Sequence, residues 1–252
     1  DRLAFYARMC GLGERTGINL DNEGKGLIPT SEWKKKRIGE SWQRGETLNI
    51  SIGQGFNLTT PLQMLVLTSA IASNGTLYQP QIVRRVETAD GIEVNDIEPV
   101  VTGNLTISPQ TLDIVKRGLW EAVNTKKGTA RGIKSKQYSI SGKTGTAQLV
   151  TTREPKAGET GKENQLYNQN LPHAWFVAYA PSEAPRIAVV VIIEHGEHGS
   201  TAAAPVAKEL IKAYLDKQAQ QKLLAEAEAR SQQPEDRKQV SEAGSQETLF
   251  TF

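Results

Sequence analysis

Apolar residues recur at helical spacing in several stretches of this chain and in continuous runs in others. Leu3, Phe5 and Tyr6, with Met9 and Cys10 behind them, read as an amphipathic helix stopped by Gly11 and Gly13. Leu62, Met64, Leu65, Leu67, Thr68, Ile71 and Ala72 predict a buried helix. Pro61 takes its favoured first-turn position, Thr59 or Thr60 caps it, and Asn74-Gly75 ends it. Ser108 caps a further helix, Pro109–Asn124, with Leu112, Val115, Leu119, Trp120 and Val123 on one face. A last helix, Ala202–Lys217, carries Val206, Leu210, Ile211 and Leu215 and is capped by Ser200 or Thr201. Strand patterns cover Tyr78–Thr88, with Asp90-Gly91 turning the chain so that Ile92–Val94 pairs back as a hairpin. Three stronger strands follow: Tyr138–Val150, Ala174–Ala180 and Arg186–Glu194. Within the last, Ile187–Ile193 is continuously apolar, as expected for a strand covered on both faces.

The polar intervals complete the plan. Thr16–Trp42 reads as loop-rich, Gly45–Thr60 as rich in glycine and polar residues, and Lys34-Lys35-Lys36-Arg37 as a solvated face. Thr151–Leu171 is a long polar connection between two strands. Its length and its poverty in apolar anchors predict a mobile gate at the mouth of a groove. From Gln218 the chain is rich in Gln, Glu, Ala and Ser; it is expected to stay helical to about Arg230 and to be disordered beyond. The division is thus residues 1–217 as one domain and 218–252 as a polar tail. The fold class is α/β of the α+β type.

Composition narrows the function classes. The chain has 252 residues, 38% hydrophobic residues and a net charge of +2, so no basic balance argues for nucleic acid. The single cysteine, Cys10, excludes an internal disulfide and a cysteine-based zinc cluster. No apolar run approaches the roughly 18 residues of a membrane span. The chain shows no signal peptide, lacks an initiator methionine and opens within a helix pattern. It is read as a fragment of a longer protein, so a missing anchor says nothing about the parent.

The chemistry concentrates in Ser141-Gly142-Lys143-Thr144-Gly145-Thr146-Ala147-Gln148. Lys-Thr-Gly at the end of a strand supplies a cation and hydroxyls for a substrate carboxylate, and a glycine that lets a substrate lie against bare backbone. The rival, a phosphate-binding loop, needs a glycine at position 137, which is Gln137, and a helix where β-branched residues follow. A serine acyl-transferase also needs a Ser-x-x-Lys nucleophile and a Ser-x-Asn or Ser-x-Asp triplet. Ser31-Glu32-Trp33-Lys34 fits the first by letter only. It sits in a cationic run where Lys34 is expected to be solvated and protonated, not desolvated as a base must be. No Ser-x-Asn or Ser-x-Asp occurs; Thr47-Leu48-Asn49 is the nearest imitation.

In order along the chain come Thr16-Gly17-Ile18-Asn19-Leu20, Gly26-Leu27-Ile28-Pro29, Glu32-Trp33-Lys34, Trp42, Gly45-Glu46-Thr47 and Ile52-Gly53-Gln54-Gly55. Thr60-Pro61-Leu62-Gln63, Gly142 to Gln148, His173-Ala174-Trp175-Phe176 and Glu194-His195-Gly196 follow. Over roughly residues 1–217 this series resembles the C-terminal part of the transpeptidase domain of class B penicillin-binding proteins, the elongation type most of all.

The resemblance implies a β-lactamase/transpeptidase-like antiparallel sheet flanked by helices, incomplete without the domain's N-terminal part. It implies a D,D-transpeptidase that joins peptidoglycan stem peptides through a serine acyl-enzyme. Its partners are a D-Ala-D-Ala donor, an amine acceptor, β-lactams and proteins of the cell-elongation machinery, and it uses no cofactor. The enzyme would lie on the periplasmic side of the inner membrane, anchored upstream. The catalytic strand would be Lys143, Thr144, Gly145 and Thr146, with Lys143, Thr144, Thr146 and Ala147 holding the substrate and the Thr146 N–H as one oxyanion donor. A non-catalytic scaffold of the same fold, and a β-lactamase or sensor, stay open at this point. Glu194-His195-Gly196-Glu197-His198 is glycine-broken and lacks helical His spacing, so it reads as a polar strand end and not a metal site. His173 reads as a structural hydrogen-bonding residue.

Overall fold

The computed structural model describes residues 1–91, 93–149 and 171–231. The chain divides into two units, Asp1–Lys212 and Ala213–Phe252. The first opens with four helices: α1 (Arg2–Met9), α2 (Ser31–Ile38), α3 (Arg44–Ser51) and α4 (Pro61–Ala72). The second lies in a stretch expected to be loop-rich, and the third in one read only as rich in glycine and polar residues. Thr30 Oγ1 accepts the Trp33 N–H at 3.1 Å, and Gly39 closes α2 in the left-handed region at φ 85°. Glu46 Oε2 accepts the Gln43 N–H at 2.6 Å at the start of α3. Local caps define both helices, and neither carries enough apolar residues to show a helical period.

Lys34 corrects the expectation of a solvated basic face. It is 2% exposed. Its Nζ lies 2.6 Å from Glu46 Oε1 and 3.4 Å from Glu40 Oε2, and donates to the Ser41 carbonyl at 3.0 Å. The hydrogen bond to Glu46 holds the ammonium pKa above its usual value. The Gln43 N–H, and then Lys34, hold the Glu46 carboxyl below its ordinary 4.5. A carboxylate with a depressed folded-state pKa contributes stability above the unfolded-state value, and loses that contribution as pH falls through the folded value. Glu46→Gln should therefore lower stability near neutral pH and flatten its decline below about 4.5, as thermal unfolding across pH would show. An unchanged pH profile would exclude the Lys34–Glu46 pair as a stabilising element.

Helix α4 matches its expected start: Pro61 is in the first turn, Thr60 Oγ1 accepts the Gln63 N–H at 3.1 Å, and Gln63 Oε1 accepts the Thr60 N–H at 2.9 Å. Gln63 is also buried, and its Nε2 donates to the carbonyls of Glu14 and Lys25 at 2.7 and 2.9 Å. One side chain thus caps a helix and ties down the preceding loops.

The strand expected over Tyr78–Thr88 is two strands in two sheets. β1 (Thr76–Tyr78) pairs antiparallel with β4 (Val101–Asn104), and β2 (Arg85–Glu87) with β3 (Glu93–Asp96). Pro80 falls between β1 and β2, has no N–H for a ladder, and interrupts the run. Helix α5 (Pro109–Asn124) begins at Ser108, whose Oγ accepts the Thr111 N–H. It buries Leu112 and Val123 and leaves Val115 and Trp120 exposed.

The main sheet has the order β5-β6-β7, all antiparallel, from Ser141–Ala147, His173–Ala180 and Ile187–Ile193. Thr144 stands opposite Phe176, and Phe176 opposite Val191; Gly142, Ala178 and Val189 form the next row on that face. Ala174, Phe176, Ala178, Val189 and Val191 are buried there, each large side chain contributing about 1.5–3 kcal/mol by leaving water. Helix α4 packs on β6 and β7, and α5 on β5. A π-helical turn, Gly199–Ala203, lies against the sheet and leads into α6 (Ala204–Ser231). The expected cap at Ser200 or Thr201 is replaced by this turn, in which Thr201 Oγ1 donates to the His198 carbonyl at 3.3 Å. In the second unit the described residues are helical as far as Ser231. The predicted gate falls mainly on residues 151–170, which with the tail beyond Ser231 lie outside the described residues.

Candidate active site

Strand β5 carries every predicted site residue, and its alternation decides what each presents. The Ser139 carbonyl, two residues before β5, accepts the N–H of Ser182, two residues past β6, at 2.9 Å, and this alternation carried into β5 turns its odd-numbered backbone groups toward β6. Three even-numbered carbonyls accept from side chains instead. Ile140 O takes Asn124 Nδ2 at 2.8 Å, Thr144 O takes Lys143 Nζ at 2.8 Å, and Thr146 O takes Gln54 Nε2 at 2.9 Å. Within a strand the N–H and C=O of one residue point to the same side. The Thr144 and Thr146 N–H groups therefore lie on the edge of β5 away from β6, where no strand pairs with it among the described residues.

Lys143 is exposed, and no carboxylate lies within ion-pair distance of it among the described residues. Its ammonium also approaches Thr144 Oγ1 at 3.3 Å, and Thr144 Oγ1 donates to Thr129 Oγ1 at 3.3 Å. The edge thus offers an exposed cation, hydroxyls of Thr144 and Thr146, and backbone donors. Ala147 ends the strand opposite His173. Gly145 packs closely: a Cβ there would stand 3.1 Å from Trp175 Cβ.

Two residues of this cluster escaped the sequence reading. They are Thr129, in the loop after α5, and Gln54, which the sequence shows only as part of Ile52-Gly53-Gln54-Gly55. A third contact is the seat of Gly199, where a Cβ would fall 2.2 Å from Trp175 O and 2.9 Å from Gly145 O, so only glycine admits the turn. At the far end of β5 the Ser139 and Ser141 hydroxyls donate to Ser182 Oγ at 3.0 and 2.9 Å, and Trp120 Nε1 donates to Ser139 Oγ at 3.1 Å. Burial raises the neighbouring Tyr179 phenol pKa, against a lowering hydrogen bond from Ser141.

The histidine expectation is met in its structural form. His173 Nδ1 accepts the His195 N–H at 3.1 Å, and His195 Nδ1 lies 3.2 Å from the Leu171 carbonyl. Among the described residues no group of three His, Cys, Asp or Glu side chains is placed to hold a metal. None of their helices is long and apolar enough to cross a membrane.

Ser31 and Lys34 lie in the first turn of α2 and Lys34 is buried, which corrects the expectation of a solvated lysine. Ser31 Oγ, however, donates to Asp1 Oδ2 at 2.8 Å, and Lys34 is bound by two carboxylates that raise its pKa. A lysine held protonated cannot serve as base.

The penicillin binding protein transpeptidase domain family matches residues 1–212. The peptidoglycan D,D-transpeptidase MrdA of Haemophilus influenzae is 35% identical over 86% of this chain and 33% of its own length. MrdA of Acinetobacter baumannii is 36% identical over 81% of this chain and 29% of its own. The chain spans about a third of these relatives. Among solved structures, Pseudomonas aeruginosa PBP2 in complex with WCK 5153 superposes with a TM-score of 0.68 at 35% identity, covering 85% of this chain and 44% of that one. PBP2 of Helicobacter pylori, in a complex with MreC, gives 0.66 at 31% identity, covering 84% and 35%. The mixed fold, its antiparallel sheet and this run of likeness place the chain in the penicillin-binding protein transpeptidase family, beside PBP2.

Proposed function

We propose that this chain forms the substrate-carboxylate and oxyanion side of a serine-type D,D-transpeptidase that cross-links peptidoglycan stem peptides. The observation that carries the reading is the exposed Lys143 ammonium, without a carboxylate partner among the described residues, beside Thr144 and Thr146 on the open edge of β5. A donor peptide ending in D-Ala-D-Ala brings a terminal carboxylate, which Lys143 and the Thr144 and Thr146 hydroxyls bind. Its backbone adds along β5 as an extra strand. A serine outside this chain attacks the penultimate carbonyl, and the resulting oxyanion rests on the Thr146 N–H and the serine's own N–H. The C–N bond breaks and D-alanine leaves with a proton on its amine. An acceptor amine then attacks the ester carbonyl, its C–O bond breaks, and the serine is restored. A β-lactam follows the first half only, because its opened ring stays attached.

By likeness to its PBP2 relatives, the parent works at the periplasmic face of the inner membrane with elongation proteins, as the MreC complex of the Helicobacter pylori protein suggests. Residues 1–217 form the C-terminal part of the transpeptidase domain and 218–252 its polar tail.

A fluorescent penicillin should label the full-length protein at a serine outside these 252 residues and leave the isolated chain unlabelled. An oxyanion donor without an attacking group retains only weak catalysis. Peptide mapping that found the label on Ser31 would overturn the assignment.

A further inference from the structure

We propose that Gln54 is a positioning residue for this acyl-transfer site, acting through the peptide of Thr146. The inference rests on the function proposed above and adds a residue to it.

Gln54 reaches the open edge of β5 from a distant part of the chain. Its Nε2 donates to the Thr146 carbonyl at 2.9 Å, on the side of the strand that carries the Thr146 N–H. The ladder with β6 holds the odd-numbered peptides of β5 through their own hydrogen bonds, but it cannot hold the outward groups of Thr146. Gln54 supplies that restraint, and the strand ends one residue later at Ala147. Fixing the carbonyl fixes ψ of Thr146, and so the attitude of the residue whose N–H meets the oxyanion.

The support behind Gln54 is rigid. Helix α3 ends in a left-handed cap at Gly53, φ 79°, with the Gly53 N–H bonded to Ile50 O at 3.1 Å and the Gln54 N–H to Asn49 O at 3.0 Å. This paired closure is the Schellman arrangement, and it leaves the Gln54 backbone no freedom to wander. Asn57 Nδ2 donates to Ile50 O at 3.2 Å from the other side. Helix α3 is in turn fastened to α2 by the pair between Glu46 and buried Lys34. A chain of polar contacts therefore runs from Lys34 through α3 to the edge of β5. A glutamine merely solvating a loop would need none of it.

The test compares Gln54→Met, which keeps the length but has no donor, with wild type in the full-length protein, using benzylpenicillin. Three quantities are read: the non-covalent dissociation constant, the acylation rate constant, and the carbonyl stretch of the acyl-enzyme in the infrared. The expected result is an acylation rate constant lower by about five- to tenfold, as loss of one hydrogen bond implies. Non-covalent binding should change by less than about twofold, and the acyl carbonyl band should move to higher frequency as its oxyanion donor loosens. An unchanged acylation rate constant overturns the proposal. So does weaker binding with unchanged acylation, which would make Gln54 a substrate contact. A slower variant whose band stays in place, or whose thermal midpoint falls with its rate, shows a structural role only and overturns it as well. Wild type that penicillin does not acylate at all refutes the function proposed above, which is a separate result.

Discussion

Lys143→Ala in the full-length protein is expected to slow acylation by penicillin about 10²-fold or more, with the thermal midpoint close to wild type. The two halves of that expectation have different sources. Lys143 is exposed on β5, opposite Val177, and among the described residues its ammonium touches only Thr144 O and Thr144 Oγ1. Removing it opens no cavity and strands no buried partner, so none of the mechanisms of large destabilisation applies. The loss falls on the reaction. The donor's carboxylate would meet an edge with hydroxyls but no cation, and the reacting carbonyl would no longer be drawn over the Thr146 N–H. Lys143→Arg separates charge from shape. It keeps the cation but replaces a compact ammonium by a planar fork, and should fall between wild type and alanine. Stopped-flow acylation of the three proteins is the measurement. A folded Lys143→Ala protein acylated at the wild-type rate would remove β5 from the active site.

Much of the frame around that lysine is legible in the sequence. The strands β6 and β7 show as apolar runs between turn residues, because a sheet buried on one or both faces leaves a pattern that needs no knowledge of partners. The starts of α4 and α5 show for a local reason too: Thr60-Pro61 and Ser108-Pro109 write their caps into adjacent positions. Helices α2 and α3 do not show, since their stability comes from caps and from one buried ion pair instead of an apolar stripe. The burial of Lys34 is hidden for the same reason. A run of four cations looks solvated until Glu40 and Glu46 return on the following segment to meet one of them. The contacts that assemble the site are the least legible. Gln54 meets Thr146 and Gly199 meets Gly145 across long stretches of chain, and nothing at either end announces the other. The Lys-Thr-Gly strand was found by its chemistry and its family likeness; its open edge became visible only through the alternation of its hydrogen bonds.

Gly199→Ala is expected to cost stability by about 3 kcal/mol and to slow acylation by the protein that remains folded. The methyl group would sit 2.2 Å from Trp175 O, 2.9 Å from Gly145 O and 3.2 Å from Gly145 N. All three are backbone atoms of paired strands, so no flexible side chain can swing aside. Either the π-helical turn lifts off the sheet or β5 and β6 part where Gly145 faces Trp175. The first route uncovers buried Ala203 and Ala204, and the second moves the residue between Thr144 and Thr146. The effect on acylation would pass through the backbone, without touching a group that meets the substrate. Gly118→Ala is the matched control. It lies within α5, where an added Cβ meets nothing within 4 Å, and should be stabilising by about 0.5–1 kcal/mol. If the packing argument holds, the denaturant midpoints of the two variants shift in opposite directions and only Gly199→Ala slows penicillin acylation. A Gly199→Ala protein as stable as wild type, and acylated as fast, would mean that the turn is not seated against β5 and that the position of Gly145 is set by something else.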